Sequence, residues 1–333
     1  MYLLGREIQE LLTAAELGNL EKLRYIANAV EEFEMKDHWM TQGDKKGRTV
    51  LHHAAIYGYM NVMDFIIKDV IESFEDQDVR SELLNLPDYK GRTPLFYAAV
   101  ESRVEIVRLL IERGAKLESI TNDKHVEPGS TALMACAEKN SEECFDALLQ
   151  ERADILARRD DGADATYIAA RYGHLDIIQR ITEDKKLSLI VNRPTFRGRT
   201  ALLTAASHGH LKVCKLLFSK GADLNHQDES KSTALMYAAT EGYFDLVKWL
   251  VKNGANVHLK DNFNDTALMC AQTNGDIEMI KYLKMFKKEE EESEDNVPGG
   301  KERVKKGKIG RTASLKMSAK VVSNKTEANR NSR

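Results

Sequence analysis

The 333-residue sequence lacks the features that mark several large classes of protein. It contains no run of about 18 consecutive apolar residues, so we expect no membrane-spanning helix and no insertion into a membrane. Its first residues carry no long apolar stretch, so we expect no secretory leader. Only five residues are proline, which is too few for a proline-rich linker protein. These absences favour a folded protein of the cell interior.

Cysteine is scarce, and its spacing is not that of a metal site. The four cysteines are Cys136, Cys144, Cys214 and Cys270. Because neither CxxC nor CxxH occurs, the sequence argues against zinc and favours reduced thiols of the cytoplasm or nucleus. We therefore expect a cytoplasmic protein, with the nucleus as the alternative compartment.

Signatures of catalysis are absent as well. The sequence has no GxxxxGK[ST], GxGxxG or GxSxG motif, which removes the common nucleotide-binding and hydrolase classes. Charge is unevenly distributed: residues 1–286 hold 36 basic and 44 acidic residues, whereas residues 287–333 hold 13 basic and 8 acidic. Since the larger part is net acidic and has no continuous basic patch, we expect it not to bind nucleic acid.

What the sequence does contain is a recurring spacing. Counted from a threonine, two small residues stand at +5 and +6, a glycine or another turn residue at +9, and apolar residues at +13, +16 and +17. A fixed period of this kind indicates a repeat protein. The eight copies start at Gln9, Thr49, Thr93, Thr131, Asp164, Thr200, Thr233 and Thr266, at intervals of 33 to 44 residues.

Each position of the pattern has a physical role. Threonine is a favoured helix N-cap, because its hydroxyl accepts an early backbone N–H. Pro94 follows Thr93 at the first helical position, which needs no N–H donor. Glycine at +9 ends the short first helix in a left-handed conformation, and the later apolar positions lie on one face of a second helix. The pattern predicts pairs of helices joined by tight turns.

This pattern resembles the ankyrin repeat. The TPLHxAA box of that family stands here as TPLFYAA at 93–99, TVLHHAA at 49–55, TALLTAA at 200–206 and TALMYAA at 233–239. The resemblance covers roughly residues 6–287. It implies an all-α ankyrin-repeat solenoid, built of helix-turn-helix units and β-hairpin-like turns, followed by a disordered C-terminal tail.

The register suggests how the chain is divided. We expect an N-terminal capping repeat at 1–43 and seven ankyrin repeats at 44–288, regular from about residue 130. An insertion at about 67–88 predicts a lengthened second helix and a short extra helix. Asp164 replaces the capping threonine and Thr166 occupies a leucine position. Since a polar group in a core position is costly without a partner, this repeat should pack least well.

The last residues differ in composition from the repeats. Residues 289–295 are an acidic run, and residues 301–333 hold eleven lysines and arginines against two acids. With few large apolar residues, we expect 289–333 to be disordered. The GRTA at 310–313 lacks the small pair and the glycine, so it is not a ninth repeat. Its arginine instead suits a basophilic kinase, which makes Ser314 and Thr312 candidate phosphorylation sites.

The histidines and cysteines of the repeats are expected to be structural. The family resemblance implies that His52 hydrogen-bonds between neighbouring repeats. His208 and His210 flank Gly209 like a metal-binding pair, but histidine also recurs at the same repeat position as His174. Buried free cysteines are usually inert packing residues. We therefore expect no catalytic residue, no cofactor and no metal.

The resemblance implies binding rather than catalysis. Stacked repeats present their hairpin tips and first helices on an extended concave surface. The residues just before each cap are basic and aromatic, the usual anchors of interfaces, although exposed turns are often simply polar. We expect them to bind an acidic or phosphorylated protein segment. They are Lys45, Lys46, Arg48, Tyr89, Lys90, Arg92, Phe196, Arg197, Arg199, Lys231 and Phe263.

The sequence therefore predicts a non-catalytic scaffold or adaptor that binds a protein partner. Two alternatives stay open. The chain could be a regulatory subunit of a kinase or another enzyme, or a nuclear cofactor whose basic tail contacts nucleic acid in a salt-sensitive way. The fold does not identify the partner, because repeats of this kind bind unrelated proteins.

Overall fold

The computed structural model describes residues 2–31, 36–122, 128–183 and 190–286. Within these residues the regular structure is helical, and no strand occurs. This confirms the predicted all-α class. The predicted disordered tail at 289–333 and the phosphorylation candidates Thr312 and Ser314 lie outside the described residues, so the structure does not test them.

The chain forms two compact units. The first unit comprises residues up to 169 together with 174–190, and the second comprises 170–173 together with the residues from 191 onward. The helices of the first unit are α1 (Tyr2–Glu16), α2 (Leu20–Glu31), α3 (Lys36–Thr41), α4 (Val50–Tyr57), α5 (Met60–Asp64), α6 (Gln77–Leu84), α7 (Pro94–Val100), α8 (Val104–Glu112), α9 (Ala132–Lys139), α10 (Glu142–Gln150), α12 (Leu175–Glu183) and most of α11 (Ala165–Tyr172).

In the first unit the helices alternate between two layers. The first helices of successive copies pack side by side, α4 against α7 and α7 against α9. Each second helix covers its own first helix, as α8 does for α7 and α10 for α9. Apolar side chains such as Ile66, Leu110, Phe145 and Ile177 fill the space between the layers and are fully buried.

The second unit repeats this arrangement. Its helices after α11 are α13 (Ala201–Ser207), α14 (Leu211–Ser219), α15 (Ala234–Glu241), α16 (Phe244–Lys252), α17 (Ala267–Asn274) and α18 (Ile277–Lys284). Of the first helices, α13 packs against α15, and α15 packs against α17. Leu203, Leu217 and Leu250 are buried between them and the second helices.

Thr93, Thr131, Thr200 and Thr233 cap the first helices as the spacing predicts, whereas Thr266 forms no side-chain capping hydrogen bond within the described residues. The hydroxyls of Thr93, Thr200 and Thr233 each accept a backbone N–H three residues ahead, at 3.3 Å. Asp164 performs the same role, because its carboxylate accepts the Tyr167 N–H at 3.0 Å. The cap therefore survives the change from threonine to aspartate.

The insertion lengthens the second helix of its copy in an unusual form. After α5 the chain continues as a π-helix at Phe65–Val70 and a 3₁₀ turn at Ile71–Ser73. Helix α6 then packs against this turn. The second helix of this copy thus continues in π-helical and 3₁₀ form, and α6 follows it as an additional short helix. Such π-helical turns are rare in proteins.

Candidate partner-binding surface at the hairpin tips

An aspartate closes the hairpin before several of the capped helices. The Asp88 carboxylate accepts the backbone N–H groups of Lys90 and Arg92, both at 2.8 Å. The Asp88 N–H in turn donates to the Arg92 carbonyl at 2.9 Å. Asp228 holds its own hairpin in the same way, accepting from Ser230 at 2.9 Å. These bonds define the turn before any tip side chain contributes.

A buried tyrosine ties the hairpin to the helix behind it. Tyr97 donates its hydroxyl to Asp88 at 2.8 Å, and Tyr237 donates to Asp228 at 2.7 Å. Burial together with the hydrogen bond to Asp88 raises the pKa of Tyr97 to about 12. The tyrosine therefore stays a donor, and each hairpin is anchored to its helix by a hydrogen bond from a hydroxyl to a carboxyl oxygen.

Backbone hydrogen bonds link the tips of successive hairpins. In the first unit the Tyr89 N–H donates to the Lys46 carbonyl at 3.0 Å, and the Asn122 N–H donates to the Lys90 carbonyl at 2.8 Å. In the second unit the Glu229 N–H donates to the Arg197 carbonyl at 3.2 Å. Since these bonds use main-chain atoms, the spacing of the tips does not depend on their side chains.

One tip contact depends on a missing side chain. The ring of Tyr89 lies over Gly47, where a Cβ would come within 2.6 Å of the ring. Gly47 also has a φ of +79°, a conformation that favours glycine. Glycine at this position therefore allows the Tyr89 ring to rest on the preceding hairpin.

The three predicted binding arginines that precede a cap lie beneath the tips. The Arg48 guanidinium donates to Asp44 at 2.8 Å, and its hydrogen bonds lower the pKa of Asp44 although burial alone would raise it. Arg92 lies against its own helix, with its guanidinium 5.9 Å from the centre of the Tyr97 ring. Each of these side chains contacts the chain's own residues.

Arg199 is the most enclosed of the three. It donates to the Tyr237 hydroxyl at 2.8 Å and lies 3.7 Å from the Asp228 carboxylate, with only 15% of its side chain exposed. Its guanidinium also stacks on the Tyr237 ring at 4.8 Å. The arginine thus joins its hairpin to the next repeat, and its contact with a partner stays a prediction.

The other predicted binding residues separate into two sets, in which every residue except the half-buried Lys90 is exposed. The first tip cluster, in the first unit, comprises Lys45, Lys46, Tyr89 and Lys90. The second tip cluster, in the second unit, comprises Phe196, Arg197, Lys231 and Phe263. Tyr89 is 76% exposed, Phe196 65% and Phe263 40%. Large rings held at such exposure have few contacts of their own to preserve.

The lysines of these clusters are available to a partner. Lys45, Lys46, Arg197 and Lys231 are exposed, and their side chains form no ion pair with any residue in the described part of the chain. The aspartates beside them are occupied by backbone N–H groups and by arginine or tyrosine. The exposed charge at the tips is therefore mainly positive.

Sequence reasoning missed Ile120. This side chain is 57% exposed, two residues before the tip residue Asn122. Its carbonyl lies against Gly91, 3.0 Å from where a Cβ would stand. The copy that contains Ile120 has no aspartate-to-glycine turn, so the spacing offered no signal for a tip there.

The histidines His52, His208 and His210 form hydrogen bonds within and between the repeats. His52 is buried, its Nδ1 accepts the Thr49 N–H at 3.1 Å, and its Nε2 donates to the Arg92 carbonyl of the next copy at 3.0 Å. Burial lowers the pKa of His52 to about 4, so the ring is neutral at physiological pH. His208 and His210 stack 6.0 Å apart, but each donates to a backbone carbonyl.

The described residues contain neither a metal-binding cluster nor a membrane-spanning helix. No group of three or more histidine, cysteine, aspartate or glutamate side chains there could hold a metal ion. Among the same residues, no helix combines the length and the apolar character needed to cross a membrane.

Comparison with known families decides the classification. The family model described as ankyrin repeats (three copies) matches residues 11–121, 117–189, 133–228, 184–261 and 235–313. The chain belongs to the ankyrin repeat family. Among solved structures, it is similar to the ankyrin repeat domain of Bcl-3, a member of the IκB family, at 28% identity and a TM-score of 0.56. That similarity covers 71% of this chain and 100% of the Bcl-3 chain.

Curated relatives share only the repeats. Alpha-latrocrustotoxin-Lt1a of Latrodectus tredecimguttatus is 27% identical over 178 residues, which is 53% of this chain and 12% of the toxin. The nuclear factor NF-kappa-B p105 subunit of Rattus norvegicus is 27% identical over 127 residues, 38% of this chain and 13% of that protein. This chain thus spans a small fraction of these relatives. Ankyrin repeats are modules of protein–protein interaction, which supports a binding role.

Proposed function

We propose that this ankyrin repeat protein is a non-catalytic scaffold or adaptor that binds a protein partner through its hairpin tips and concave face. The observation that supports this most is the exposure of Tyr89, Phe196 and Phe263 on hairpins whose geometry is set by other residues. Aromatic side chains contribute strongly to interfaces, because they bury a large area with little loss of conformational entropy. We place the protein in the cytoplasm, with the nucleus as a second compartment.

The charge of the tips indicates the chemistry of the partner. Lys46 lies beside Tyr89, whose N–H donates to the Lys46 carbonyl at 3.0 Å, and Arg197 directly follows Phe196 in the sequence. A segment with carboxylates or phosphates and an apolar side chain would match both features of each cluster. We therefore propose an acidic or phosphorylated protein segment as the ligand, with the two exposed clusters as its main contact and the partly enclosed Arg48, Arg92 and Arg199 beneath them.

Three variants of equal charge change test the proposal. The first carries Tyr89→Ala with Lys45→Glu and Lys46→Glu, and the second carries Phe196→Ala with Arg197→Glu and Lys231→Glu. The control carries Tyr25→Ala with Lys212→Glu and Lys215→Glu. Tyr25 is as exposed as Tyr89, at 76%, but lies on α2. Partners captured by the native chain should bind at least one tip variant about tenfold more weakly and should bind the control normally.

The result separates the proposal from its alternatives. Equal binding by all three variants would contradict a role for the tips. Phosphatase treatment of the captured partner distinguishes a phosphorylated ligand, whose binding is lost, from a carboxylate-rich one, whose binding is kept. A kinase or another enzyme as the captured partner would favour a regulatory subunit.

A further inference from the structure

Two hairpins of the array carry different side chains at two matched positions. The first hairpin is the turn at residues 44–49, before α4, and the matched hairpin is the turn at residues 228–233, before α15. At +3 and +4 from the capping threonine, the first copy has His52 and His53, whereas the matched copy has Met236 and Tyr237. At these two positions, only the first hairpin therefore has side chains that can take up a proton near neutral pH.

His52 forms its hydrogen bonds as a neutral ring. Its Nδ1 accepts the Thr49 backbone N–H at 3.1 Å, and the Thr49 hydroxyl lies 2.9 Å from the same nitrogen. Its Nε2 donates to the Arg92 carbonyl of the next hairpin at 3.0 Å, and its ring meets the Tyr97 ring of α7 edge-on. Because a protonated ring has two donors and no acceptor, a proton on Nδ1 would face the Thr49 N–H, donor against donor. Protonation therefore breaks the bond between this ring and the cap of α4.

His53 occupies the place of an anchoring tyrosine but does not form the tyrosine's bond. Tyr97 and Tyr237, at the same position in their copies, donate to the turn aspartate at 2.8 and 2.7 Å. The Nε2 of His53 lies 3.5 Å from Asp44, the aspartate of the first hairpin, and neither ring nitrogen has a hydrogen-bond partner among the described residues. The His53 side chain is 4% exposed. The first hairpin thus lacks the anchor that the two tyrosines supply.

The surroundings of His52 disfavour its charged form. Burial lowers the pKa of His52 to about 4. The charges of His53 and Arg48 act in the same direction, whereas the Arg92 carbonyl and the Asp88 carboxylate raise this pKa. Since an exposed histidine has a pKa of about 6.5, the ring takes up a proton more readily once the hairpin has opened.

The surroundings of His53 have the same net effect. Burial lowers the pKa of His53, and the Arg48 guanidinium adds to this lowering. The carboxylates of Asp44 and of Glu16 on α1 raise the pKa, but the net direction is downward. Tyr57 stacks on the His53 ring, with the ring centres 6.3 Å apart, and donates its hydroxyl to Glu16. A proton on His53 therefore also favours an open hairpin.

We propose that the first hairpin is an acid-released element, which opens when His52 and His53 take up protons and thereby withdraws the first tip cluster from a bound partner. Lys45 and Lys46 lie on this hairpin, and the Tyr89 N–H donates to the Lys46 carbonyl at 3.0 Å. Opening therefore also removes a support of Tyr89. The effect on the partner rests on the proposed function, whereas the opening itself does not.

The pH range of the release follows from the direction of the two pKa changes. Both rings have a lower pKa in the closed hairpin than in the unfolded chain, so the closed form binds fewer protons. The closed hairpin is therefore fully stable above about pH 6.5 and loses stability as the pH falls toward about 4. Asp44 stays ionised over this range: burial alone would raise its pKa, but hydrogen bonds from Arg48 and from backbone N–H groups lower it below 3.8.

Amide hydrogen exchange of the full chain tests the opening without a partner. Protection is expressed relative to the unfolded chain at the same pH, so that the intrinsic pH dependence of exchange cancels. Between about pH 7.5 and about pH 5, the bonded N–H groups of Arg48 and Thr49 should lose at least about tenfold in protection. Those of Ser230 and Ser232 in the matched hairpin should lose less than about twofold. Unchanged protection in the first hairpin, or an equal loss in both hairpins, would overturn the proposal.

Two double variants exchange the side chains of the two hairpins. His52→Met with His53→Tyr gives the first copy the residue types of the matched copy, and should keep the first hairpin protected at about pH 5. Met236→His with Tyr237→His should make the matched hairpin lose protection in acid. Urea unfolding at neutral pH checks that both variants fold. If the first double variant still loses protection in acid, the release comes from other groups and the proposal is wrong.

Partner binding tests the consequence of the opening. At about pH 5 the native chain should bind the captured partner at least about threefold more weakly than the variant with His52→Met and His53→Tyr, and the two should bind alike at about pH 7.5. Comparing two chains at one pH cancels any titration of the partner itself. Equal binding at about pH 5, despite lost protection in the native hairpin, would overturn the control of binding by this hairpin. Failure of the proposed function gives a different result, because the tip variants would then bind normally at neutral pH while the loss of protection in acid remained.

Discussion

Threonine hydroxyls have opposite effects in this protein, according to their partners. Thr200 accepts the Leu203 N–H at 3.3 Å and caps α13. Thr166 is 1% exposed and its hydroxyl has no hydrogen-bond partner among the described residues, at a position where other copies carry leucine. The sequence pattern predicted both roles, because each follows from a single position in the repeat.

Replacing each threonine by valine should change stability in opposite directions. Thr166→Val removes an unpaired buried hydroxyl and should raise the free energy of unfolding by about 1 kcal/mol. Thr200→Val removes a helix cap and should lower it by about 1 kcal/mol. Urea unfolding of the full chain measures both. A loss of stability in Thr166→Val would mean that its hydroxyl is satisfied in solution.

At the level of the element, glycine is needed at two places for different reasons: at Gly47 in a hairpin, and at Gly114 after the end of α8. Gly47 and Gly114 both have positive φ, at +79° and +89°. A Cβ at Gly47 would meet the Tyr89 ring at 2.6 Å, whereas a Cβ at Gly114 would meet nothing within 4 Å. A side chain at Gly114 would therefore cause backbone strain alone, whereas a side chain at Gly47 would add a steric clash with the Tyr89 ring.

Alanine substitutions should distinguish these two costs. Gly114→Ala should lower the free energy of unfolding by about 1–2 kcal/mol from backbone strain alone. Gly47→Ala should lower it by more, and should also weaken partner binding, because the Tyr89 ring must move. Binding and urea unfolding of both variants give the comparison. Unchanged binding in Gly47→Ala would show that the orientation of Tyr89 is not important for recognition.

The helices were more predictable than the tips. Capping threonines and apolar spacing are local signals, so most helix starts follow from a few neighbouring residues. The direction of Arg199 depends on Tyr237, which lies 38 residues later. Arginine is a residue type that often anchors interfaces, but the side chain at position 199 is enclosed by the chain's own residues. The π-helix at Phe65–Val70 likewise leaves no local pattern, since its residues read as ordinary helix.

At the level of the whole molecule, each compact unit contains one of the two tryptophans. Trp39 is buried in the first unit, and Trp249 packs edge-to-face on Phe218 in the second, with the ring centres 5.6 Å apart. Because repeats are stabilised mainly by their neighbours, a poorly packed repeat can divide the array into separate unfolding steps. Thr166, with its buried and unpaired hydroxyl, lies in the repeat that the sequence predicts to pack least well.

The tryptophans should therefore report two unfolding transitions. In Trp249→Phe, the remaining Trp39 should report the unfolding of the unit that contains Thr166, and this unit should unfold at lower urea. In Trp39→Phe the remaining Trp249 should unfold at higher urea. Adding Thr166→Val to both tryptophan variants should bring the urea midpoints of the two transitions closer together. Coincident transitions before that addition would show that the chain unfolds in one cooperative step.

The way in which the hairpins are anchored determines which of their side chains can be substituted without loss of stability. Lys46 and Tyr89 join the ladder of tips through backbone atoms, and Asp88 sets the turn through backbone N–H groups. Substituting the side chain of Lys45 or Lys46 leaves all of these bonds in place. Selection can therefore alter what the surface recognises without altering what keeps the chain folded, so specificity and stability are separately heritable in this protein.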